Sequence, residues 1–277
     1  MAEPSSSSRS QQRRHRRNRL WASLGAVALV VVAAGIGVVA LSGGSDSDTV
    51  APAASAAPTT AAPLPDTGAN VSADLGRVPF RAAATKGNDI AVFDAPDANA
   101  QPSTTLPKRT EYLLPRTLLA FDQYQDWLHV YLPTRPNSST GWVKASDVTI
   151  STPLEWQIRV SLADHHLWLL HNGVVEFDTG TAIGSDQYPT PTGTFYITDP
   201  LDLHTTPNLG YGVFAIGLSG HSDVLTEFGG GDGQIAIHGT NNPGDIGQDI
   251  SHGCVRVTND AIERLSTLPL GTPVVIT

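Results

Sequence analysis

The sequence has a single cysteine, Cys254, among its 277 residues. One thiol cannot form an internal disulfide, an iron–sulfur cluster or a multi-cysteine zinc finger. Charged residues make up 16% of the chain and hydrophobic residues 40%, which excludes a charge-rich disordered protein and a multi-pass membrane protein. Aromatic residues are scarce, at 6%, whereas the 26 glycines and 20 prolines favour many turns over long helices.

The first 19 residues are basic, whereas the remainder of the chain is acidic. Segment 1–19 holds six of the 17 basic residues, so the rest of the chain carries about −14. Segment 20–41 has no charged residue and, as a helix, would span about 30 Å of hydrocarbon. We therefore predict a cytoplasmic tail at 1–19, a transmembrane helix at 20–41 and an extracytoplasmic position for everything beyond. A cleaved signal peptide is the alternative, and nucleic-acid binding by the tail is not expected.

Two further segments lie between the predicted transmembrane helix and the C-terminal segment that carries the candidate catalytic residues. Segment 42–76 consists mainly of Ala, Pro, Ser, Thr, Gly and Asp, which predicts a disordered linker. Segment 77–150 contains short β-type runs at Ile90–Phe93, Leu118–Phe121, Trp127–Leu132 and Gly141–Val143.

The end of segment 77–150 carries a weak resemblance. Gly141–Val143 and the residues after it resemble the end of bacterial SH3-like domains, which are small β-barrels found beside cell-wall enzymes. The resemblance implies an SH3-like domain at 77–150. In so small a barrel we expect Trp127 and Trp142 to lie in the core rather than to bind a ligand.

The C-terminal segment 154–277 is also predicted to be mostly β, with one helix. Asn172-Gly173 between two apolar runs is a strong hairpin signal, because both residues tolerate positive φ. The helix is predicted at Asp260–Leu268, with Thr258 or Asn259 as N-cap. The predicted strands are Gln157–Leu162, Leu167–Leu170, Val174–Phe177, Thr194–Thr198, Val213–Leu218, Gln234–His238, Val255–Val257 and Val274–Thr277.

The long glycine-rich stretch at 199–233 comes just before His238 in the sequence. Its eight glycines and its length predict a lid over an active site. We expect Tyr211 and Phe228 within it to pack in the fold first of all, and they are also candidates to line a substrate groove.

Two short motifs in this segment suggest nucleophilic catalysis. His238-Gly239-Thr240 ends an apolar strand, and Ser251-His252-Gly253-Cys254-Val255-Arg256 follows. A thiol with a pKa near 8.5 is mostly protonated at neutral pH, so a nearby histidine that accepts its proton would activate it. Spacing alone leaves open whether His238 or His252 is that base.

The same motifs resemble a known family. Ser-His-Gly-Cys-Val-Arg-Val at 251–257, the upstream His-Gly-Thr and the stretch Pro189–Ile197 closely resemble the signature of YkuD-type L,D-transpeptidases. The resemblance covers about 154–277. It implies a YkuD-like β-sandwich with one short helix for this segment. Together with the SH3-like barrel and the transmembrane helix predicted above, the expected fold class of the chain is mainly β.

What the resemblance implies is acyl transfer on peptidoglycan stem peptides. The cysteine attacks the carbonyl between a diamino acid and D-Ala, D-Ala leaves, and the thioester passes to a diamino acid amine of a second stem. The implied roles are Cys254 as nucleophile, His238 as base and Gly239 as its orienter. Catalytic or binding roles are also implied for the cysteine loop and the groove, namely Ser251, His252, Gly253, Arg256 and Tyr211.

Several expectations accompany this assignment. Amides of His252, Gly253 and Cys254 would form the oxyanion hole, and Arg256 would either organise the pocket or form a structural ion pair. No cofactor or metal is expected, and carbapenem-type inhibitors are expected ligands because family members are often acylated by them. The other histidines are expected on the surface or in loops: His165, His166, His171, His204 and His221.

Three other classes compete with this interpretation. His238, His252 and Cys254 could ligate zinc, although His-x-Cys is a poor zinc spacing. A sortase-like or protease-like thiol enzyme also uses His, Cys and Arg outside the cell. A catalytically silent wall-binding protein is the third alternative, and the intact cysteine and histidine disfavour it.

Overall fold

The computed structural model of the protein describes residues 79–205 and 210–277. The predicted tail, transmembrane helix and linker lie outside the described residues. Within the described ranges, no helix is long and apolar enough to cross a membrane.

The first domain is built from seven strands. Five of them form an antiparallel sheet in the order β6-β5-β4-β1-β7, and β2 and β3 form a separate two-stranded ladder. The strands are β1 (Arg81–Thr85), β2 (Ile90–Val92), β3 (Thr104–Leu106), β4 (Thr117–Tyr124), β5 (Trp127–Tyr131), β6 (Thr140–Lys144) and β7 (Val148–Pro153). Strand β7 runs three residues past the predicted boundary at 150.

The two tryptophans of the first domain differ in burial. Trp127 is 7% exposed and meets Phe93 edge-on, with ring centroids 5.0 Å apart, as expected of a core residue. Trp142 is only partly buried, and its ring stacks on His129 at 4.3 Å. The expectation that both belong to the core is therefore wrong for Trp142, because β6 turns that side chain to the partly exposed face.

In its described residues, the second domain contains ten strands and one α-helix. Its main sheet has eight strands in the order β10-β9-β8-β17-β12-β13-β14-β16, in which β8–β17 and β14–β16 are parallel pairs. Strands β11 and β15 form a short parallel pair beside it. The strands are β8 (Trp156–Ser161), β9 (His166–His171), β10 (Val174–Gly180), β11 (Ile183–Gly184), β12 (Gly193–Asp202), β13 (Phe214–His221), β14 (Gln234–His238), β15 (Asp249–Ser251), β16 (Val255–Arg256) and β17 (Pro273–Ile276).

Local sequence signals explain the hairpin and the helix. Asn172 and Gly173 both have positive φ, 49° and 79°, and join β9 to β10 as a two-residue hairpin, as predicted. The helix α1 spans Asn259–Leu265, and the Thr258 hydroxyl caps it by accepting from the Ala261 N–H. It ends earlier than predicted, so the described fold is mainly β with one short α-helix.

The two domains pack tightly against each other. Tyr196 belongs to β12 of the second domain, yet its fully buried ring lies in the core of the first. Asn137 of the first domain exchanges two hydrogen bonds with the His221 backbone, at 2.7 and 2.9 Å. A Cβ on Gly271 would stand 2.9 Å from the Ala82 side chain, so the backbones also approach closely there.

Candidate active site

Cys254 opens onto a cleft in the second domain. It is partly buried, comes directly before β16 and lines a cleft of about 340 Å³. Strand β14 runs parallel to β16, with His238 opposite Arg256. Because side chains alternate between the faces of a sheet, Ala236 and His238 share a face with Cys254 and Arg256. The parallel pair therefore places the two candidate catalytic side chains on one face, on neighbouring strands.

The imidazole of His238 is buried and held in one orientation. The residue is 3% exposed, and its Nδ1 lies 2.7 Å from the Gly239 carbonyl oxygen. Since a carbonyl can only accept, Nδ1 carries the proton in this hydrogen bond and Nε2 keeps its lone pair. Burial, helped by the charge of Arg256, lowers the pKa of His238 to about 4, and the hydrogen bonds to the backbone of Gly239 and of Tyr211 only partly oppose that effect. The imidazole is therefore neutral at pH 7, as a general base must be.

Gly239 cannot carry a side chain. A Cβ at this position would stand 2.3 Å from Asn259 Oδ1 and 3.3 Å from the Gly212 Cα. Asn259 Oδ1 also accepts from the Val213 N–H at 3.2 Å, which ties the start of α1 to the segment before β13. This close packing fixes the carbonyl that orients His238.

The thiol is also neutral in the resting protein. Burial raises the pKa of Cys254, and this effect outweighs the hydrogen bond to the Ala236 backbone and the charge of Arg256, which lower it. Nucleophilic attack then requires transfer of the thiol proton to a base, rather than attack by a preformed thiolate.

Ser251 determines the shape of the cysteine loop. It is 2% exposed, its hydroxyl donates to the Cys254 carbonyl at 2.6 Å, and its oxygen accepts from the Gly253 N–H at 3.1 Å. Gly253 has a φ of 114°, which only glycine adopts without strain. The expected three-amide oxyanion hole needs correction, because the Gly253 N–H is already bound to Ser251; His252 and Cys254 remain as candidate donors.

The side chain of His252 is exposed and lies between two aromatic rings. The Tyr188 and Phe228 ring centroids stand 4.9 and 5.3 Å from the imidazole. These contacts favour a role in shaping the loop over a role as base. His238, which is buried and oriented by the Gly239 carbonyl, is the better candidate for the base.

Arg256 forms an ion pair on the face that carries Cys254 and His238. Its Nη1 lies 2.8 Å from Asp245 Oδ2, and Asn242 donates to the other oxygen of that carboxylate at 2.6 Å. The ion pair is the structural alternative expected for this arginine, and its charge also lowers the pKa of His238 and of Cys254. A role in organising the pocket stays a prediction.

The predicted lid at 199–233 contains the end of β12 and all of β13, which lies where the strand Val213–Leu218 was predicted. The loops are therefore confined to the segments between β12 and β13 and between β13 and β14. Tyr211, from the first loop, lines the cleft with its ring 4.7 Å from that of His238. Phe228, from the second, lines it too and is 43% exposed.

The remaining histidines lie outside the cleft, with one departure from expectation. His221 is 6% exposed rather than at the surface, because it ends β13 under the first domain; its Nε2 lies 2.9 Å from Asp232. Across 79–205 and 210–277, no three His, Cys, Asp or Glu side chains are grouped so that they could hold a metal ion.

Two cleft residues come from the first domain and were not predicted. Glu111 and Tyr112 line the cleft together with Cys254. No motif singles them out, because they are more than 140 positions from the cysteine in sequence and only the packing of the two domains brings them there.

Comparison with known proteins identifies the family. A profile of the L,D-transpeptidase catalytic domain, YkuD, matches residues 155–276. YkuD of Bacillus subtilis, named as an L,D-transpeptidase, is 35% identical over 124 residues, which cover 44% of this chain and 66% of that protein. Its namesake in Bacillus licheniformis is 33% identical over 127 residues, covering 45% and 67%. The chain therefore belongs to the YkuD family of L,D-transpeptidase catalytic domains.

The matches are partial. The aligned segment spans about two thirds of these two relatives. The catalytic domain of an E. faecium L,D-transpeptidase is 21% identical over 46% of this chain and 100% of that one, with a TM-score of 0.35. An LD transpeptidase in complex with imipenem is 16% identical, and the match covers 72% of this chain and 82% of that one, with a TM-score of 0.36. Scores this low add nothing to the assignment of the site.

Proposed function

We propose that the protein is an L,D-transpeptidase that cross-links peptidoglycan stem peptides through a Cys254 thioester. One observation carries the proposal: Cys254 opens onto the cleft beside a strand whose His238 is buried, neutral and oriented by the Gly239 carbonyl. Membership of the YkuD family supports the same reaction class.

In the first half-reaction, Cys254 Sγ attacks the carbonyl carbon between the diamino acid and D-Ala of a tetrapeptide stem. The thiol proton passes to His238 Nε2 as the sulfur–carbon bond forms, because both groups are neutral at rest. The amides of His252 and Cys254 stabilise the oxyanion. When the carbon–nitrogen bond breaks, the imidazolium returns the proton to the departing amine of D-Ala, which leaves a thioester.

In the second half-reaction, the side-chain amine of a second stem attacks the thioester carbonyl. His238 accepts the proton from this amine and returns it to the sulfur as the carbon–sulfur bond breaks. The product is a direct cross-link between two diamino acids, and the enzyme regains its thiol. Arg256 and Ser251 act by holding the loop and the local charge, not by bonding to the reacting atoms.

The proposal extends to inhibitors and to location. Carbapenem-type inhibitors would acylate Cys254 by the same attack on a strained carbonyl. The predicted transmembrane helix at 20–41 would anchor the enzyme in the cell membrane in a single pass, with the SH3-like domain at 77–150 and the catalytic domain at 154–277 facing the cell wall.

The test incubates the full chain with a purified disaccharide-tetrapeptide and records the masses of intact protein and products. We expect an acyl-enzyme, released D-Ala and stem dimers lacking one D-Ala. Cys254→Ala should give none of the three, and His238→Gln should lower the acylation rate at least 100-fold. Released D-Ala without dimers would instead indicate a carboxypeptidase, and folded wild-type protein that is never acylated would overturn the proposal.

A further inference from the structure

The first domain contributes one wall of the cleft. Glu111 and Tyr112 lie on a loop of that domain and line the same cleft as Cys254 and Tyr211. Burial raises the pKa of Tyr112, and the charges of the nearby carboxylates Asp199, Glu111 and Asp232 raise it further. The first domain is therefore more than a spacer or a wall anchor, because it reaches the cleft that holds Cys254.

This loop is a tight, internally bonded turn. Thr110 is 7% exposed, and its backbone carbonyl accepts from the Leu113 N–H at 3.0 Å, while its own N–H donates to the Leu114 carbonyl at 2.9 Å. The Arg109 guanidinium donates to the Leu113 carbonyl. Glu111 and Tyr112 are thus presented to the cleft by a preorganised turn, which reduces the entropic cost of binding a ligand.

The packing of the two domains also holds the opposite wall. Arg135 of the first domain donates to the carbonyls of Ser222 and Leu225, at 3.2 and 2.9 Å. Both acceptors lie at the start of the loop that carries Phe228 and Asp232 into the cleft. The geometry of the cleft therefore depends on the first domain at two places.

The chemistry of this wall suits an ammonium group. The charged side chains that line the cleft are Glu111 and Asp232, and both are acidic. The His221 imidazole faces Asp232, whereas the exposed Glu111 carboxylate makes no ion pair with any residue of the described ranges. Tyr112 is 52% exposed, so its ring is open to the cleft that Glu111 also lines. An open aromatic ring and an unpaired carboxylate that line one cleft form a favourable environment for an organic cation.

A third acidic group strengthens the local negative field. Asp199 is 2% exposed, and its Oδ1 has no hydrogen-bond partner within the described part of the chain. It lies directly behind the cleft residue Gly217, where an added Cβ would stand 3.1 Å from the Asp199 Cβ. A buried carboxylate with an unpaired oxygen adds attraction for a cation bound in front of it.

We propose that Glu111 and Tyr112 are specificity-determining residues that bind the side-chain ammonium of the diamino acid in the donor stem. The assignment rests on the proposed transpeptidase function and adds to it the group by which the donor is recognised. It also gives the first domain a role in catalysis, since that domain supplies both residues.

The test compares two donors that differ only at the proposed contact. One is a disaccharide-tetrapeptide with a free side-chain amine on the diamino acid, and the other is the same compound with that amine acetylated. The rate of acyl-enzyme formation is measured by intact-protein mass as a function of donor concentration. The full-length wild type is compared with Glu111→Gln, Tyr112→Phe and Tyr112→Leu, with Glu176→Gln as a matched control at an exposed position away from the cleft.

In the wild type, we expect the free-amine donor to acylate the enzyme about tenfold more efficiently than the acetylated donor. Glu111→Gln should remove most of this preference, mainly through a higher KM for the free-amine donor. Tyr112→Phe should retain the preference and Tyr112→Leu should weaken it, while Glu176→Gln should keep the wild-type ratio. A wild-type ratio in Glu111→Gln would overturn the assignment and leave the transpeptidase function intact. A wild type that neither donor acylates would overturn both.

Discussion

Ser251 and Cys254 are joined by a hydrogen bond in which the serine hydroxyl donates to the cysteine carbonyl over 2.6 Å. The same oxygen accepts from the Gly253 N–H at 3.1 Å, so one buried hydroxyl satisfies two backbone groups of the loop that holds the thiol. Ser251 thereby fixes the position of the sulfur without touching it.

Ser251→Ala tests this positioning role. We expect the free energy of unfolding to fall by about 1–3 kcal/mol, because a buried donor and acceptor lose their partner. The acylation rate should fall about tenfold or more, since the thiol loses its fixed position. Chemical denaturation and acylation kinetics measure the two effects. Ser266→Ala, which removes an exposed hydroxyl–carbonyl bond at the end of α1, should leave acylation unchanged.

The low pKa of His238 predicts acid sensitivity. Its folded-state pKa of about 4 lies below the unfolded value of 6.5, so the unfolded chain binds more protons between these values. The associated stability is fully present above pH 6.5 and is lost as the pH falls towards 4, by on the order of 3 kcal/mol. Denaturation of the wild type and of His238→Gln from pH 4 to 7.5 measures this difference. Equal pH slopes in the two proteins would contradict it.

The same pKa predicts the acid limb of activity. The base must be neutral to accept the thiol proton, so acylation should decline around pH 4 and not around pH 6.5. Single-turnover acylation between pH 3.5 and 8, recorded by mass spectrometry, gives the profile. A midpoint near 6.5 would contradict the assignment of buried His238 as the base.

Gly239 and Asn259 should show energetic coupling. Gly239→Ala places a Cβ 2.3 Å from Asn259 Oδ1, so we expect a loss of stability of about 1–3 kcal/mol and a lower acylation rate as the His238 orienter shifts. Adding Asn259→Ala removes the clashing oxygen and should restore part of both. A double-mutant cycle measured by thermal unfolding and acylation gives the coupling, and strictly additive effects would be inconsistent with the predicted clash.

Two substitutions of Tyr196 separate the contribution of its ring to stability from that of its hydroxyl. Its Oη is buried with no hydrogen-bond partner in the described ranges, and burial strongly raises its pKa. Tyr196→Phe should therefore be neutral or stabilising by about 1 kcal/mol. Tyr196→Ala should cost about 3–5 kcal/mol, because the ring fills the core of the first domain. A large loss in Tyr196→Phe would reveal a hydrogen-bond partner for the hydroxyl.

The parts of the structure that short-range signals determine were predictable from the sequence. Asn172-Gly173 specified its hairpin, Thr258 was one of two candidate caps for the helix, and the alternating strand Gln234–His238 has its predicted ends. The motif around Cys254 pointed to a nucleophile. Its placement on the cleft face depends on the parallel pairing of β14 with β16, to which the strand pattern alone gave no guide.

What could not be predicted depends on contacts between distant segments. The sequence of β1, Arg-Ala-Ala-Ala-Thr, lacks the alternation of apolar and polar residues that would predict a strand. It takes its conformation from pairing with β4 and β7. The sequence around Asp245 gives no sign of its ion pair with Arg256, because only the folded structure brings the two residues together. Glu111 and Tyr112 carry no local signature, because only the packing between domains gives them a place near the thiol.

The burial of Tyr196, a residue of the second domain, in the core of the first has a consequence for folding. A side chain that the sequence assigns to one domain completes the core of the other, and Gly271 and Ala82 close the same boundary without intervening solvent. The first domain therefore cannot complete its core while β12 of the second is unfolded. We expect residues 79–277 to melt in a single calorimetric transition, and the catalytic segment produced alone to be aggregation-prone, because it would leave the Tyr196 ring facing water.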